Sequence, residues 1–281
     1  MASLQRAIAL EPRNAASQDL LCRFLLFDKQ EASAAVPLCK RATELDPYQS
    51  AYWLHLALAY YRTGAEQQQE EAIFRAVSVD PTTPDVAWKA ANFFLVQGKI
   101  PEALHQFSVV IRGDPTMATQ SLDLCWRTLH DVSAIEAILP PEPEIYLQFL
   151  RLLTAKSEWA AAHHIWSALL RLNREFDYHH ALFYVDALLQ ERDIAGADRA
   201  WGELASRSVT LSRYSQSDNL VLNGDFEEEI LNGGFDWHYA VQPGTAVSLD
   251  TTQFHSGSRS VLVSYSAVSY THLTLPTKRI V

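Results

Sequence analysis

The dipeptides Glu11-Pro12, Asp46-Pro47, Asp80-Pro81 and Asp114-Pro115 each close an apolar run in the first half of the sequence. Their prolines stand 35, 34 and 34 residues apart. Because proline cannot continue a helix and moves the preceding residue out of the helical region, each pair ends a helix at a fixed phase. A constant period of this length is typical of a helical solenoid rather than of a catalytic fold. The sequence therefore predicts a stack of helical hairpins.

Aromatic and small residues recur at matching places within these predicted hairpins. On the first helix of one unit they read Trp53-x-x-Leu56-Ala57-x-x-Tyr60. On second helices they read Ala103-x-x-x-Phe107-x-x-Val110, Ala162-x-x-x-Trp166-x-x-Leu169 and Ala197-x-x-x-Trp201-x-x-Leu204. Small residues let two crossing helices approach each other, and aromatic rings fill the groove beside the crossing. This arrangement resembles the tetratricopeptide repeat (TPR).

The TPR resemblance covers residues 1 to about 206 and divides them into a leading half-unit and about five units. The first helix of the last unit is predicted over residues 176–190. The fourth unit, which includes Val132 to Pro143, is degenerate because its second helix is short and ends in prolines. The predicted fold class is mostly α: a TPR-type helical-hairpin solenoid followed by a short, incomplete antiparallel β segment of jelly-roll type. Since the first helix has no partner helix before it, we expect further residues upstream of Met1.

The resemblance also implies where a partner would bind. TPR arrays bind extended peptides or partner helices on the concave face formed by the first helices of successive units. Six residues on those helices lie off the packing stripe and are the predicted groove residues: Phe24, Tyr61, Arg62, Trp88, Asn92 and Gln97. An alternative assignment makes Phe24 and Trp88 packing residues displaced by one position. The subclass that grips a C-terminal carboxylate is not expected, because Leu20 and Leu54 occupy places where it carries polar or basic residues.

Composition and charge exclude several other classes of function. The formal net charge of −10 argues against nucleic acid or an anionic membrane as a partner, because both are bound through clustered Lys and Arg. No apolar run reaches the roughly 18 residues that a membrane-spanning helix needs. The sequence contains no Gly-x-Ser-x-Gly, no phosphate-binding Gly-Lys-Ser/Thr loop and no His-Glu-x-x-His. We therefore predict a protein that is not an enzyme.

The cysteines and the paired histidines are the remaining candidates for a redox or metal site. Cys22, Cys39 and Cys125 lie in apolar helical surroundings without C-x-x-C spacing, which predicts buried free thiols. The pairs His163-His164 and His179-His180 suggest a metal site, but neighbouring helical side chains point about 100° apart and cannot chelate one ion together. These histidines are therefore predicted to lie on the surface or between helices.

The helical pattern stops near residue 206. Residues 207–218 are polar and rich in serine, which predicts a linker. Beyond it, alternating apolar and polar residues predict strands at Phe235–Val241, Thr245–Leu249 and Ser260–Ser264. The interval 219–267 is therefore predicted to be the start of a truncated β-sandwich.

Segments of this interval resemble the opening strands of a carbohydrate-binding-module-like jelly roll, among them Asn219-Leu-Val-Leu-Asn-Gly-Asp-Phe-Glu227 and Gly234-Phe-Asp-Trp237. That family has a galactose-binding-like fold and often a structural calcium. The resemblance implies calcium ligands at Asp225 and Glu227 and a sugar-stacking role for Trp237. The alternatives are that Asn223-Gly224-Asp225 is only a tight turn and that Trp237 is a core residue.

The final residues, 268–281, look like a translated sequencing adapter, most clearly in Val268-Ser-Tyr-Thr-His-Leu-Thr-Leu-Pro-Thr277. On this interpretation the native sequence stops near Ala267 and the sandwich is incomplete, because about four strands cannot close two sheets. The competing interpretation is an ordinary edge strand, since Tyr270 to Leu275 has high β-propensity.

These patterns together predict a non-enzymatic scaffold or adaptor that binds a partner peptide or helix on the concave TPR face. In the complete protein the appended β module would contact glycan or an envelope surface, which suggests the bacterial cell envelope or periplasm, with the cytoplasm as the other option. No cofactor is predicted apart from a structural calcium in the complete β domain. The alternative is the accessory C-terminal region of a larger polysaccharide-acting enzyme or membrane protein.

Overall fold

The structure, a computed structural model, describes residues 2–214, 221–240 and 242–266. The chain forms two compact units, which divide between Arg174 and Glu175. This division falls earlier than the predicted boundary near residue 206. The last helices of the repeat region therefore belong to the same compact unit as the β residues that follow them.

The first unit consists, in its described residues, of α-helices joined by short turns. The helices are α1 (Ala2–Leu10), α2 (Ala15–Phe24), α3 (Ala32–Leu45), α4 (Ser50–Thr63), α5 (Glu66–Val79), α6 (Pro84–Val96), α7 (Ile100–Gly113), α8 (Ala118–Leu129), α9 (Val132–Glu136), α10 (Pro143–Ala155) and α11 (Trp159–Arg171). A π-helical turn, Leu25–Lys29, follows α2, and a 3-10 turn, Pro115–Met117, precedes α8. Over the described ranges, no helix has both the length and the apolar character to cross a membrane.

The predicted stops end helices as expected. Helix α7, for example, ends at Gly113, immediately before the Asp-Pro pair. The carboxylate of Asp114 then accepts a hydrogen bond from the amide of Thr116 at 3.0 Å. Asp46 and Asp80 accept similar bonds from amides two and three residues further on. The aspartate of each stop thus turns the chain while the proline prevents the helix from continuing.

The repeated motifs form the core of the helical hairpins. Ala103, Phe107 and Val110 are each 0% exposed. The six residues of the two later motifs, from Ala162 to Leu169 and from Ala197 to Leu204, are at most 4% exposed. Successive helices pack in pairs, α2 with α3, α4 with α5 and α6 with α7. This is the predicted arrangement of TPR-type hairpins, and it is confirmed.

One helix begins later than the sequence indicated. The apolar pattern predicted a first helix over residues 176–190, but a 3-10 turn occupies Tyr178–His180 and α12 spans only Leu182–Gln190. The cause is local, because the carboxylate of Asp177 accepts a hydrogen bond from the amide of His179 at 3.0 Å. A side-chain acceptor of this kind stabilises a turn in competition with the helix.

The second unit combines helices with a small sheet. Its helices are α12, α13 (Ile194–Ala205) and α14 (Val209–Tyr214). Its strands β1 (Thr245–Asp250) and β2 (Ser260–Tyr265) pair antiparallel, with Thr245 opposite Tyr265 and Asp250 opposite Ser260. The strands predicted at 245–249 and 260–264 are therefore confirmed as a two-stranded antiparallel sheet.

Two predictions for this unit differ from the structure. Residues 235–240, predicted as most of a strand, form turns and irregular backbone. Part of the predicted linker is helix α14, whose Leu211 and Tyr214 are 0% and 2% exposed. Residues 215–220, Val241 and the adapter-like stretch 268–281 lie outside the described residues.

The cysteine prediction is wrong for two of the three residues. Cys22 on α2 and Cys39 on α3 form a disulfide, with their Cα atoms 5.4 Å apart and both side chains 0% exposed. No spacing motif marks this pair, because a helical hairpin brings together residues that are 17 positions apart. Cys125 is buried and free, as predicted.

Alkylation of the thiols tests this assignment. Burial raises the pKa of the Cys125 thiol to about 12, and the side chain is 0% exposed, so the native protein should not react with iodoacetamide at pH 8. Mass spectrometry should find one alkylated cysteine after denaturation alone and three after denaturation with reductant. Three labels without reductant would show that Cys22 and Cys39 are not bonded.

Candidate functional site

A groove of about 530 Å³ lies between the first helices of two successive hairpins, α4 and α6. Its floor is apolar and includes Leu54, Ala57 and Ile73, which are 8%, 2% and 5% exposed. Its rim carries large apolar side chains that face solvent: Phe27 is 53% exposed, Tyr61 64% and Val96 81%. A volume of this size lies within the range of ordinary ligand pockets.

The two helices line the groove with the same spacing. On α4 the lining residues include Leu54, Ala57, Leu58 and Tyr61, with His55 beside them, and on α6 they are Lys89, Asn92, Phe93 and Val96. Positions i, i+3, i+4 and i+7 lie on one face of a helix. Each helix therefore turns a second face towards the groove, in addition to the face that packs within its own hairpin.

Three of the six predicted groove residues line this groove: Tyr61, Asn92 and Gln97. Arg62 lies beside it. Its guanidinium donates a hydrogen bond to the carbonyl oxygen of Leu26 and lies 5.8 Å from the ring centroid of Phe27. Arg62 thus holds the turn that carries Phe27, because both the hydrogen bond and the cation–π contact act on that turn.

The other two predicted residues lie outside the groove. The ring of Trp88 packs edge-on against Phe107, with 5.9 Å between the ring centroids. This contact packs the half-buried Trp88 against α7, in agreement with the alternative assignment as a packing residue. Phe24 is half-buried on α2, with the Lys29 ammonium 5.9 Å from its ring centroid.

The charge of the groove differs from that of the whole chain. Among its described lining residues there is no Asp or Glu, although the chain carries 33 acidic residues. The basic lining residues are His55 and Lys89. His55 Nδ1 lies 2.7 Å from a carboxylate oxygen of Asp19, and the Lys89 ammonium lies 2.6 Å from that of Asp85. Both basic groups are therefore already paired at the edge of the groove.

Sequence reasoning missed Phe27 and Val96. Phe27 lies in the π-helical turn Leu25–Lys29 rather than on a regular helix, so a count along the helix does not place it. Val96 ends α6, where the packing stripe has finished. A large apolar residue next to a predicted hairpin turn, where burial is not expected, is the signal that could have identified both.

The predicted calcium ligands have other partners. Glu227 accepts hydrogen bonds from the Ser258 amide at 2.6 Å, from the Ser258 hydroxyl and from the Arg259 amide at 3.2 Å. These bonds, the Ser258 hydroxyl foremost, lower the pKa of Glu227. The Asp225 carboxylate accepts a hydrogen bond from the Glu227 amide at 3.4 Å. Within the described residues, no group of three or more His, Cys, Asp or Glu is placed to hold a metal ion.

Trp237 and the histidine pairs also have structural partners. The Trp237 indole donates to the carbonyl oxygen of Asn223 at 3.0 Å, and its ring lies 5.0 Å from that of Phe226. His164 contacts Glu136, which also binds Arg171 at 3.1 Å. In the second pair, His179 Nδ1 lies 2.7 Å from a carboxylate oxygen of Asp177. Trp237, His164 and His179 therefore each have a partner in their own neighbourhood, while Trp237 remains 42% exposed.

Comparison with known proteins finds a short stretch of sequence similarity. Over 111 residues, which are 39% of this chain, it is 29% identical to interferon-induced protein with tetratricopeptide repeats 3 from Mus musculus. The chain spans 28% of the length of that relative. No protein-family model matches the sequence.

Solved structures give a similarly weak likeness. PilF from Pseudomonas aeruginosa is 15% identical and has a TM-score of 0.39, with 72% of this chain and 93% of that chain covered. YrrB, a TPR protein with an unusual peptide-binding site, is 13% identical with a TM-score of 0.41, covering 64% and 96%. TM-scores below 0.5 do not establish a shared fold, so the fold assignment depends on the helix packing described above.

Proposed function

We propose that this protein is a non-enzymatic scaffold that binds an apolar segment of a partner protein in the groove between α4 and α6. The observation that supports this most directly is the exposure of Phe27, Tyr61 and Val96 around a buried apolar floor. Large apolar side chains that converge on one concave surface are typical of interaction sites, whereas single exposed ones are not.

The polar residues of the groove would orient such a segment. Asn92 donates its side-chain amide to the carbonyl oxygen of Trp88 at 2.7 Å, which fixes the side chain along the groove wall. Gln97 follows at the end of α6 and is exposed. Amides can donate and accept hydrogen bonds, so they can pair with the backbone of a bound chain. The apolar anchors would supply affinity and the amides would supply orientation.

Replacement of Tyr61 by alanine tests the proposal. Peptides selected from a random 12-residue phage library on the wild-type protein would serve as the probe, with binding measured by fluorescence anisotropy. We expect Tyr61→Ala to weaken binding about tenfold or more, because exposed aromatic anchors dominate interface energetics. The matched control is Tyr48→Ala, since Tyr48 is 85% exposed and lies outside the groove. Equal affinity for both variants and the wild type would reject the groove.

The other parts of the predicted function stay as separate proposals. Contact with glycan or an envelope surface rests on the jelly-roll resemblance alone, and the accessory role in a larger polysaccharide-acting protein stays the alternative. The hydrogen bond from Trp237 to Asn223 and the bonds of Glu227 to the Ser258 loop give these residues structural roles that require neither sugar nor calcium. The groove is therefore the better-supported site.

A further inference from the structure

The segment 221–240 packs on the helices of the second unit. The amide of Gly234 donates a hydrogen bond to the Asp186 carboxylate on α12 at 2.6 Å. The ring of Phe235 meets Trp201 on α13 edge-on, with 5.8 Å between the ring centroids. One short stretch thus touches both helices of the α12–α13 hairpin, through a charge-assisted hydrogen bond and an aromatic contact.

The fit at this contact leaves no room for a side chain on Gly234 and little room for one on Gly233. A Cβ atom on Gly234 would lie 2.3 Å from the Trp201 ring, and the residue has φ +66°, which favours glycine. A Cβ atom on Gly233 would lie 3.2 Å from the side chain of Leu182. The two glycines therefore let the backbone itself rest on the helices.

The segment is held in shape by its own buried polar groups. Asn223, 8% exposed, donates to the carbonyl oxygen of Glu228 at 3.1 Å and accepts from the Glu228 amide at 3.0 Å. Asp236, 5% exposed, accepts from the amide of Leu231 at 2.7 Å. Among the described residues, the other Asp236 oxygen, Oδ1, is buried without a hydrogen-bond partner. The bonds of Asn223 and of Asp236 Oδ2 nevertheless hold one backbone conformation, since paired buried polar groups specify structure.

Helix α14 completes the same surface. Tyr214 is 2% exposed, and its ring packs edge-on against Trp201 with 6.4 Å between the centroids. Its hydroxyl donates to the carbonyl oxygen of Glu229 at 2.5 Å, which ties α14 to the loop. Trp201 is therefore covered by Tyr214 and by Phe235, and it is only 4% exposed.

In a helical-repeat protein a hairpin buries one face against the next hairpin, and a hairpin without a successor needs a polar cap. We propose that residues 221–240, together with α14, are such a cap on the α12–α13 hairpin. The segment takes the place of another helical hairpin and is part of the repeat unit rather than the first strands of an independent sandwich. Trp237 closes the cap through its contacts with Asn223 and Phe226.

Hydrogen exchange of the full chain tests this assignment with Phe235→Ala and a matched control, Phe254→Ala. Phe254 lies between β1 and β2 and is 47% exposed. In Phe235→Ala, amides of α12 and α13 should exchange about tenfold faster, which corresponds to about 1.4 kcal/mol. Amides of α4 and α5 should keep their wild-type rates, and the control should leave both regions unchanged.

Equal exchange of α12 and α13 in the Phe235 variant and the control would overturn the proposal. If Phe235→Ala fails to fold, Phe235→Leu keeps an apolar side chain at the contact and should give a smaller acceleration confined to the same helices. Acceleration over the whole chain in Phe235→Leu would also contradict a local cap. None of these results depends on peptide binding in the α4–α6 groove.

Discussion

Phe107→Ala should lower the free energy of unfolding of the first unit by about 3–5 kcal/mol. Phe107 is 0% exposed and packs edge-on against Trp88, with 5.9 Å between the ring centroids. Removing the ring leaves a cavity between α6 and α7, where Ala103 and Val110 are also 0% exposed. Because a tightly packed hairpin interior relaxes only partly, the variant loses the transfer free energy of the ring. It also bears the free-energy cost of the cavity that remains.

Urea unfolding followed by circular dichroism measures this effect, and Phe74→Ala is the matched control. Phe74 lies on α5 and is 43% exposed, so its removal should cost about 1 kcal/mol or less. Because neighbouring repeats stabilise each other, hydrogen exchange should accelerate most in α6 and α7 and less in more distant hairpins. A loss no greater than that of Phe74→Ala would show that Phe107 is not a core residue.

Trp201→Ala should destabilise the second unit by a comparable amount, about 3–5 kcal/mol. The indole ring is 4% exposed and contacts Tyr214 and Phe235. Its loss would therefore empty the contact between α13, α14 and the 221–240 segment in one step. We expect helices α12 to α14 to lose hydrogen-exchange protection together.

Trp201→Phe provides the comparison for this variant. A phenyl ring keeps part of the contact with Phe235, so the loss of stability should be clearly smaller than in Trp201→Ala. Circular dichroism should show that the alanine variant retains the helices of the first unit. Loss of protection in α4 and α5 as large as that in α13 would contradict a local role for Trp201.

The helical part of the fold could be read from the sequence because its determinants are local and repeated. Each Asp-Pro stop acts within a few residues, as the bond from the Thr116 amide to Asp114 shows. The spacing of Ala103 and Phe107 recurs at Ala162 and Trp166 and again at Ala197 and Trp201. The Cys22–Cys39 disulfide was missed, since no short-range pattern marks two residues that meet across a hairpin.

The groove was only partly predictable. Tyr61, Asn92 and Gln97 follow from counting along the first helices. Trp88 lies outside the lining of this groove, since one position along a helix rotates the side chain by about 100°, enough to turn it from the groove towards α7. Phe27 could not be placed at all, since the π-helical turn that carries it changes the count.

The structure of the C-terminal segment could not be predicted from local sequence patterns. Alternation of apolar and polar residues predicted a strand over Phe235–Val241, but in the described residues 235–240 the backbone is irregular. The deciding contacts, from Gly234 to Asp186 and from Phe235 to Trp201, join residues more than 30 positions apart. Tertiary packing of this kind overrides a local β pattern.

The matched spacing on α4 and α6 has a consequence for the register of a bound chain. Helices packed side by side have axes about 8–10 Å apart, and an extended peptide advances about 3.3 Å per residue. When a peptide crosses from α4 to α6, the peptide residue beside Tyr61 and the one beside Val96 would therefore be about three positions apart in the peptide sequence. The groove would therefore favour partner segments whose apolar side chains are about three residues apart.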